Sequence, residues 1–286
     1  MRAQILPVLA AGLLLAGCGG AAQETADTSG TPAASDSPAA NKGPDGTDAG
    51  GSGTMTVVYD DATSPEAING KKLMQDNQVL EDLAADINQT LKLPYDVPLH
   101  GSQCDTPNAY WSPSQKSITI CYEDADLSQQ IFIKAGDADP DASAIGSEDA
   151  TFYHEAGHMA VTIYDLPVTG REEDAADQLA AYILLTPGEN GKVDAESVQS
   201  VKDFARTFEA YAAARGELGA AAMADEHSLD MQRVYNLQCW IYGSNPDANA
   251  DMVSSGGLPE DRAVRCPDEW KQLDHAWSTL LDDHWK

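Results

Sequence analysis

The stretch His154-Glu155-Ala156-Gly157-His158 constrains this chain more than any other. Residues four apart on an α-helix lie about 40° apart around its axis. Both imidazoles then project from one face, where a single Zn²⁺ can take two nitrogens at about 2.0–2.1 Å. Glu155 follows the first histidine, so it is placed to reach a water on the metal rather than the metal itself. It is the candidate general base. Two of only six histidines fall at this spacing.

A catalytic zinc site needs a third protein ligand and one open position. The stretch from Gly170 to Gln178 opens the next expected helix, and within it Glu173 and Asp177 share a face. Glu173 is expected to complete the set, with one Zn²⁺ per chain. Asp177 is expected to hydrogen-bond a ligand imidazole, that of His154, and fix its tautomer. Glu172 and Asp174 are the alternative ligands, but neither has an aspartate four residues on. The competing reading of these acids is a solvated first turn favoured by the helix dipole.

A hydrolytic site also needs a donor for the developing oxyanion. His227, Arg233 and Tyr235, on a later helix, are the candidates. His227 is preferred as the catalytic group, and Arg233 is expected to pair with a carboxylate. His100, His275 and His284 fall outside any ligand spacing. Trp240, Trp270 and Trp277 are expected in the core.

Local patterns give the organisation. Met1-Arg2, the apolar run Ile5 to Ala16 and then Leu15-Ala16-Gly17-Cys18 look like a bacterial lipobox, with residues 1–17 as signal peptide. The apolar run is too short to span a bilayer. Lipid on Cys18 would be the sole membrane attachment. Gly19 in place of Asp suggests the outer membrane of the cell envelope. Residues 18–54 carry almost no large apolar side chain and read as the lipidated cysteine and a disordered tether. Four cysteines remain in an oxidising compartment. The expected bridges are local, Cys104–Cys121 and Cys239–Cys266.

Residues 55–286 read as one α+β domain, a small N-terminal sheet followed by helices. Strands are expected at Thr56–Tyr59, Val97–Cys104 and Ser117–Tyr122. Helices are expected at Leu73–Leu91, from Ser147 to about Tyr164, from Gly170 to before Pro187, around Val198–Tyr211, at Leu229–Tyr242 and at Pro267–Leu281. Lys and Arg number 17 against 46 Asp and Glu, a formal charge of −29. A surface this acidic repels nucleic acid.

His154-Glu155-x-x-His158 followed by Glu173-x-x-Ala-Asp177 resembles the glutamate-zincin peptidases. More narrowly, the chain is similar to a bacterial "putative metallopeptidase" family first catalogued as a domain of unknown function. The similarity extends over His227 to Asn236, Cys239 to Gly243, Leu258 to Arg262, and Asn108-Ala109-Tyr110 through Glu123. It implies a zincin-like fold and zinc-dependent hydrolysis of a peptide or protein substrate. Zincins present a sheet-edge strand beside the metal, on which a peptide pairs as an added strand. Ser117–Cys121 is the expected edge strand, with a core strand as the alternative. The other functional reading is a catalytically idle envelope lipoprotein that keeps zinc for stability and acts as a binding or scaffolding module.

Overall fold

β-Branched and aromatic residues make Met55–Tyr59 the first strand, β1, and the second, β2 (Val97–Ser102), alternates buried Val97, Leu99 and Gly101 with half-buried neighbours. They pair in parallel, Met55 opposite Val97. A parallel pair needs a crossover, and two helices supply it: α1 (Pro65–Asp76) and α2 (Val79–Thr90). The periodicity of Leu73–Leu91 predicts one helix, but the chain breaks it at Gln78, whose φ of 55° is left-handed. The turn lets α1 pack on α3 (Tyr122–Ala135) while α2 packs on β1. The structure, a computed structural model, describes residues 52–188 and 191–286. The expected signal peptide, the expected lipidation site Cys18 and nearly all of the expected tether lie outside the described residues.

The sheet is completed by β3 (Ala109–Ser112) and β4 (Ser117–Cys121), in the order β1-β2-β4-β3. β4 runs parallel to β2 and antiparallel to β3. This corrects the expectation for Ser117–Cys121, which is an inner strand. Its alternating Ser117 and Thr119 are only 3% and 4% exposed. β3, four residues between turn signals, is an edge strand, as β1 is on the other side. Its identity depends on strand order rather than on its own pattern. Cys104 and Cys121 are bridged, joining the loop after β2 to the end of β4 across 17 residues. Closing a loop of that length stabilises a fold by about 3 kcal/mol on the chain-entropy account.

The rest is helical: α4 (Pro140–Ile163), α5 (Glu172–Leu185), α6 (Ala195–Arg215), α7 (Ala220–Ala224), α8 (Asp230–Ser244), α9 (Asp251–Ser254), α10 (Glu260–Ala263) and α11 (Cys266–Leu281). α4 is the hub, packed against α3, α5 and α6. It starts two turns before Ser147, capped by Asp139, whose side chain accepts from the Ala142 N–H at 3.1 Å, with Pro140 in its first turn. Ser147 and Glu148 are buried in its interior, not capping its end. Cys239–Cys266 ties α8 to α11. Trp240, Trp270 and Trp277 lie in the core. No helix among the described residues is long and apolar enough to cross a membrane.

One acid on α4 makes stability depend on pH. Burial pushes Asp149 from its ordinary 3.8 up to about 7, although the Ser200 hydroxyl donates to it. The unfolded chain releases this proton near the ordinary value, so between about pH 4 and pH 7 the folded state holds more protons. Stability then falls as pH rises through that window and stays lower above it. Asp149→Asn should therefore be more stable than the parent at pH 8 by about 2–4 kcal/mol and nearly equal to it at pH 4. Urea denaturation at the two pH values reads this difference; an equal gain at both would contradict it.

Candidate metal centre

Two crossing helices build the centre. α4 carries His154, Glu155 and His158, and α5 carries Glu173 and Asp177. The helices approach closely because position 157 is glycine. A Cβ there would sit 2.8 Å from the Ala176 Cα and 3.1 Å from its Cβ. Glu173 lies one turn before Ala176, so displacing this contact displaces the carboxylate. Gly157→Ala should cost about 1–3 kcal/mol as an overpacking change and weaken zinc binding. Thermal unfolding and a competitive zinc titration measure the two effects; an unchanged zinc affinity would show that the close approach does not set the site.

The ligand atoms of His154, His158 and Glu173 all lie within 4.8 Å of one another. Glu173 Oε2 is 3.2 Å from His154 Nε2 and 3.3 Å from His158 Nε2. His227 Nε2 approaches the same oxygen at 3.1 Å. His227 precedes α8 instead of lying on it, and Arg171 holds its carbonyl with a 2.6 Å hydrogen bond. Glu173 Oε2 is buried and has no hydrogen-bond partner among the described residues. A buried carboxylate oxygen without a partner, facing converging imidazole nitrogens, suits a shared cation. Two nitrogens and a carboxylate oxygen are a zinc donor set.

Each imidazole is oriented from behind. His154 Nδ1 is 2.8 Å from Asp177 Oδ1, and His158 Nδ1 is 2.8 Å from Glu172 Oε1. His227 Nδ1 is 2.9 Å from Asp225 Oδ1. An ionised carboxylate can only accept, so each Nδ1 carries the hydrogen and each Nε2 is left for the cluster. Asp177 is itself gripped by Arg233, whose Nε and Nη2 donate at 2.8 and 2.6 Å.

The electrostatics follow from this density of acid. Burial works against a charged His158, but Glu173 and Glu172 overcome it and lift the ring to about 9. Glu173 and Asp225 lift His227 to about 9 against its burial. Burial likewise opposes a charged His154, and Asp177 with Glu173 still raises it. Burial would raise Glu173, yet the three imidazoles hold it well below the usual carboxylate range. Asp177 is buried too, but Arg233 and His154 bring it down to about 2. A metal ion and ring protons compete for the same Nε2 atoms, so metal binding releases protons.

Glu155 is buried beside this cluster, and its Oε2 accepts the β3 backbone N–H of Trp111 at 2.8 Å. Asp124 of α3 stands near it. Burial, then the Glu155 charge, raises Asp124 above the aspartate range. Trp111, Asp124, Asp225 and Glu172 in its orienting role were not found by sequence reasoning. A backbone contact leaves no residue signature, and Asp225 lies outside the helical spacing used. Tyr235 points outward, 38% exposed. His100 pairs with Asp60, and His284 stacks on Tyr164.

A family model described as "Putative metallopeptidase" matches residues 59–281. That span includes every group of the centre. No curated protein and no solved structure matches the chain significantly.

Proposed function

The chain belongs to the "Putative metallopeptidase" family, and from that premise we propose that it is a zinc-dependent peptidase with Glu155 as its general base. The observation that carries this reading is the position of Glu155. Its carboxylate adjoins the His154–His158–Glu173 cluster without being part of it, as a base for a water held at that cluster must. Zn²⁺ bound by the three ligands would polarise the scissile carbonyl and acidify a water.

The chain's own groups supply the other parts. The Trp111 N–H holds Glu155 Oε2, leaving Oε1 to take the water's proton and pass it to the departing amine. His227, braced by Asp225 at Nδ1 and lifted by Glu173 to about 9, carries a proton on Nε2 as well near neutral pH and is the donor we assign to the oxyanion. β3 gives the peptide a surface to pair with. Tyr110 and Ser112 lie opposite Thr119 and Ser117, and the Trp111 N–H points away from β4 toward Glu155. The N–H and C=O of Ala109 and the C=O of Trp111 therefore face away from β4, available to an added strand.

The lipobox-like Leu15-Ala16-Gly17-Cys18 supports tethering of the peptidase to the cell envelope through lipid, and Gly19 supports the outer membrane. Zinc-loaded protein incubated with a complex peptide mixture tests the activity. Cleavage that stops with chelator and returns with zinc is the expected result. A mixture left intact by zinc-loaded protein would overturn the proposal.

A further inference from the structure

A cavity of about 340 Å³ opens beside the centre. Ser228, Gln232, Tyr235, Asn236, Pro259 and Arg262 line it. Ser228 follows His227, whose Nε2 is 3.1 Å from Glu173 Oε2, so the cavity begins one residue from the cluster. Steps of three and four residues put Gln232, Tyr235 and Asn236 on one side of the start of α8, and Ser228 lies just before its N-cap, Leu229.

The chemistry of its wall is fixed by hydrogen bonds that its own residues make. Leu229 N–H donates to Gln232 Oε1 at 3.0 Å, and Arg262 Nη2 donates to Asn236 Oδ1 at 3.4 Å. Only the oxygen of an amide can accept such donors, so both side chains are oriented. Their NH₂ groups have no partner among the described residues and remain as donors. Arg262 is neutralised by Glu269, with Nη1 and Nη2 at 2.6 and 2.7 Å from its two oxygens. The wall therefore carries amide donors but no unpaired formal charge. The Tyr235 and Pro259 rings add apolar surface for a short aliphatic stem. The Cys239–Cys266 bridge ties α8 to α11, which carries Glu269, and so steadies Arg262.

We infer that this cavity is a side-chain subsite of the peptidase, selecting a substrate residue whose aliphatic stem ends in a hydrogen-bond acceptor, as in glutamine or glutamate. The inference rests on the peptidase reading and gives it a substrate class. A lysine or arginine side chain would bring donors to donors. A purely aliphatic side chain would leave the exposed Gln232 and half-buried Asn236 amides to water and forgo the hydrogen bonds that an acceptor makes.

Peptide sets that differ only at one position near the cleaved bond test this, with Gln, Glu, Leu, Lys or Arg at that position. Zinc-loaded protein should cut the Gln or Glu peptides about tenfold or more faster than the others. The Gln and Glu arms separate a carboxamide from a carboxylate preference. Gln232→Glu combined with Asn236→Asp keeps the oxygens that accept from Leu229 and Arg262 but replaces both NH₂ donors by oxygen. That variant should prefer Lys or Arg, and Asn236→Asp alone should shift in the same direction. Zinc content equal to the parent's confirms that the variants are folded. Cleavage with no acceptor preference, or an order unchanged in the double variant, overturns the subsite and leaves the peptidase reading standing. If no peptide is cut, the peptidase reading fails. Fluorescence anisotropy of the same peptides on zinc-loaded Glu155→Gln protein then decides the subsite: the acceptor order supports it, and equal affinities overturn it.

Discussion

Glu155→Gln should reduce peptide hydrolysis by about 10²–10⁴-fold or more while the protein keeps its full complement of zinc. The substitution preserves shape, and the amide oxygen can still accept the Trp111 N–H that now meets Glu155 Oε2 at 2.8 Å. What it removes is a group able to hold a proton between the water and the leaving amine. None of the three candidate ligands is altered, so metal content should not change. An idle zinc-holding module predicts something different, no hydrolysis to lose in the parent. Hydrolysis at the parental rate in Glu155→Gln would remove Glu155 from the mechanism.

Arg233→Ala should be the most damaging change to stability. Asp177 is 3% exposed, and two of its bonds come from the guanidinium. Truncation leaves a buried carboxylate with the His154 ring alone, and breaking a buried pair in this way costs about 3–5 kcal/mol. The guanidinium also lies over the Phe208 ring, 3.7 Å from its centroid, so packing is lost as well. Lysine should not rescue the site, because it lacks the fork that grips both oxygens. Arg233→Ala with Asp177→Asn should be less damaging than the sum of the single changes, since the unpaired charge is gone. Urea denaturation of zinc-free protein gives all of these values. A cost under about 1 kcal/mol for Arg233→Ala would mean that Asp177 is supported in some other way.

The parts of this centre that were legible in the sequence are those set by local geometry. His154 and His158 share a face because four residues make about one helical turn, whatever the rest of the chain does. Glu173 and Asp177 repeat that logic on the next helix. The two bridges join cysteines close in sequence. Groups set by packing were not legible. β3 became the edge because β4 was drawn between it and β2, and no pattern within Ser117–Cys121 announces that order. The Trp111 N–H reaches Glu155 through the backbone. Gln78 breaks a continuous apolar periodicity because α1 and α2 face different partners. Asp139 caps α4 two turns before Ser147, the expected start, because Ser147 and Glu148 are buried in the helix interior.

The measurement closest to the central claim is the metal content of protein purified without chelator, by mass spectrometry of the bound element. One zinc per chain is expected, with near-complete loss in His154→Ala, His158→Ala and Glu173→Ala and retention in Glu155→Gln. Zinc well below one equivalent after supplementation, or full occupancy persisting in the His158→Ala and Glu173→Ala variants, would contradict a centre held by His154, His158 and Glu173.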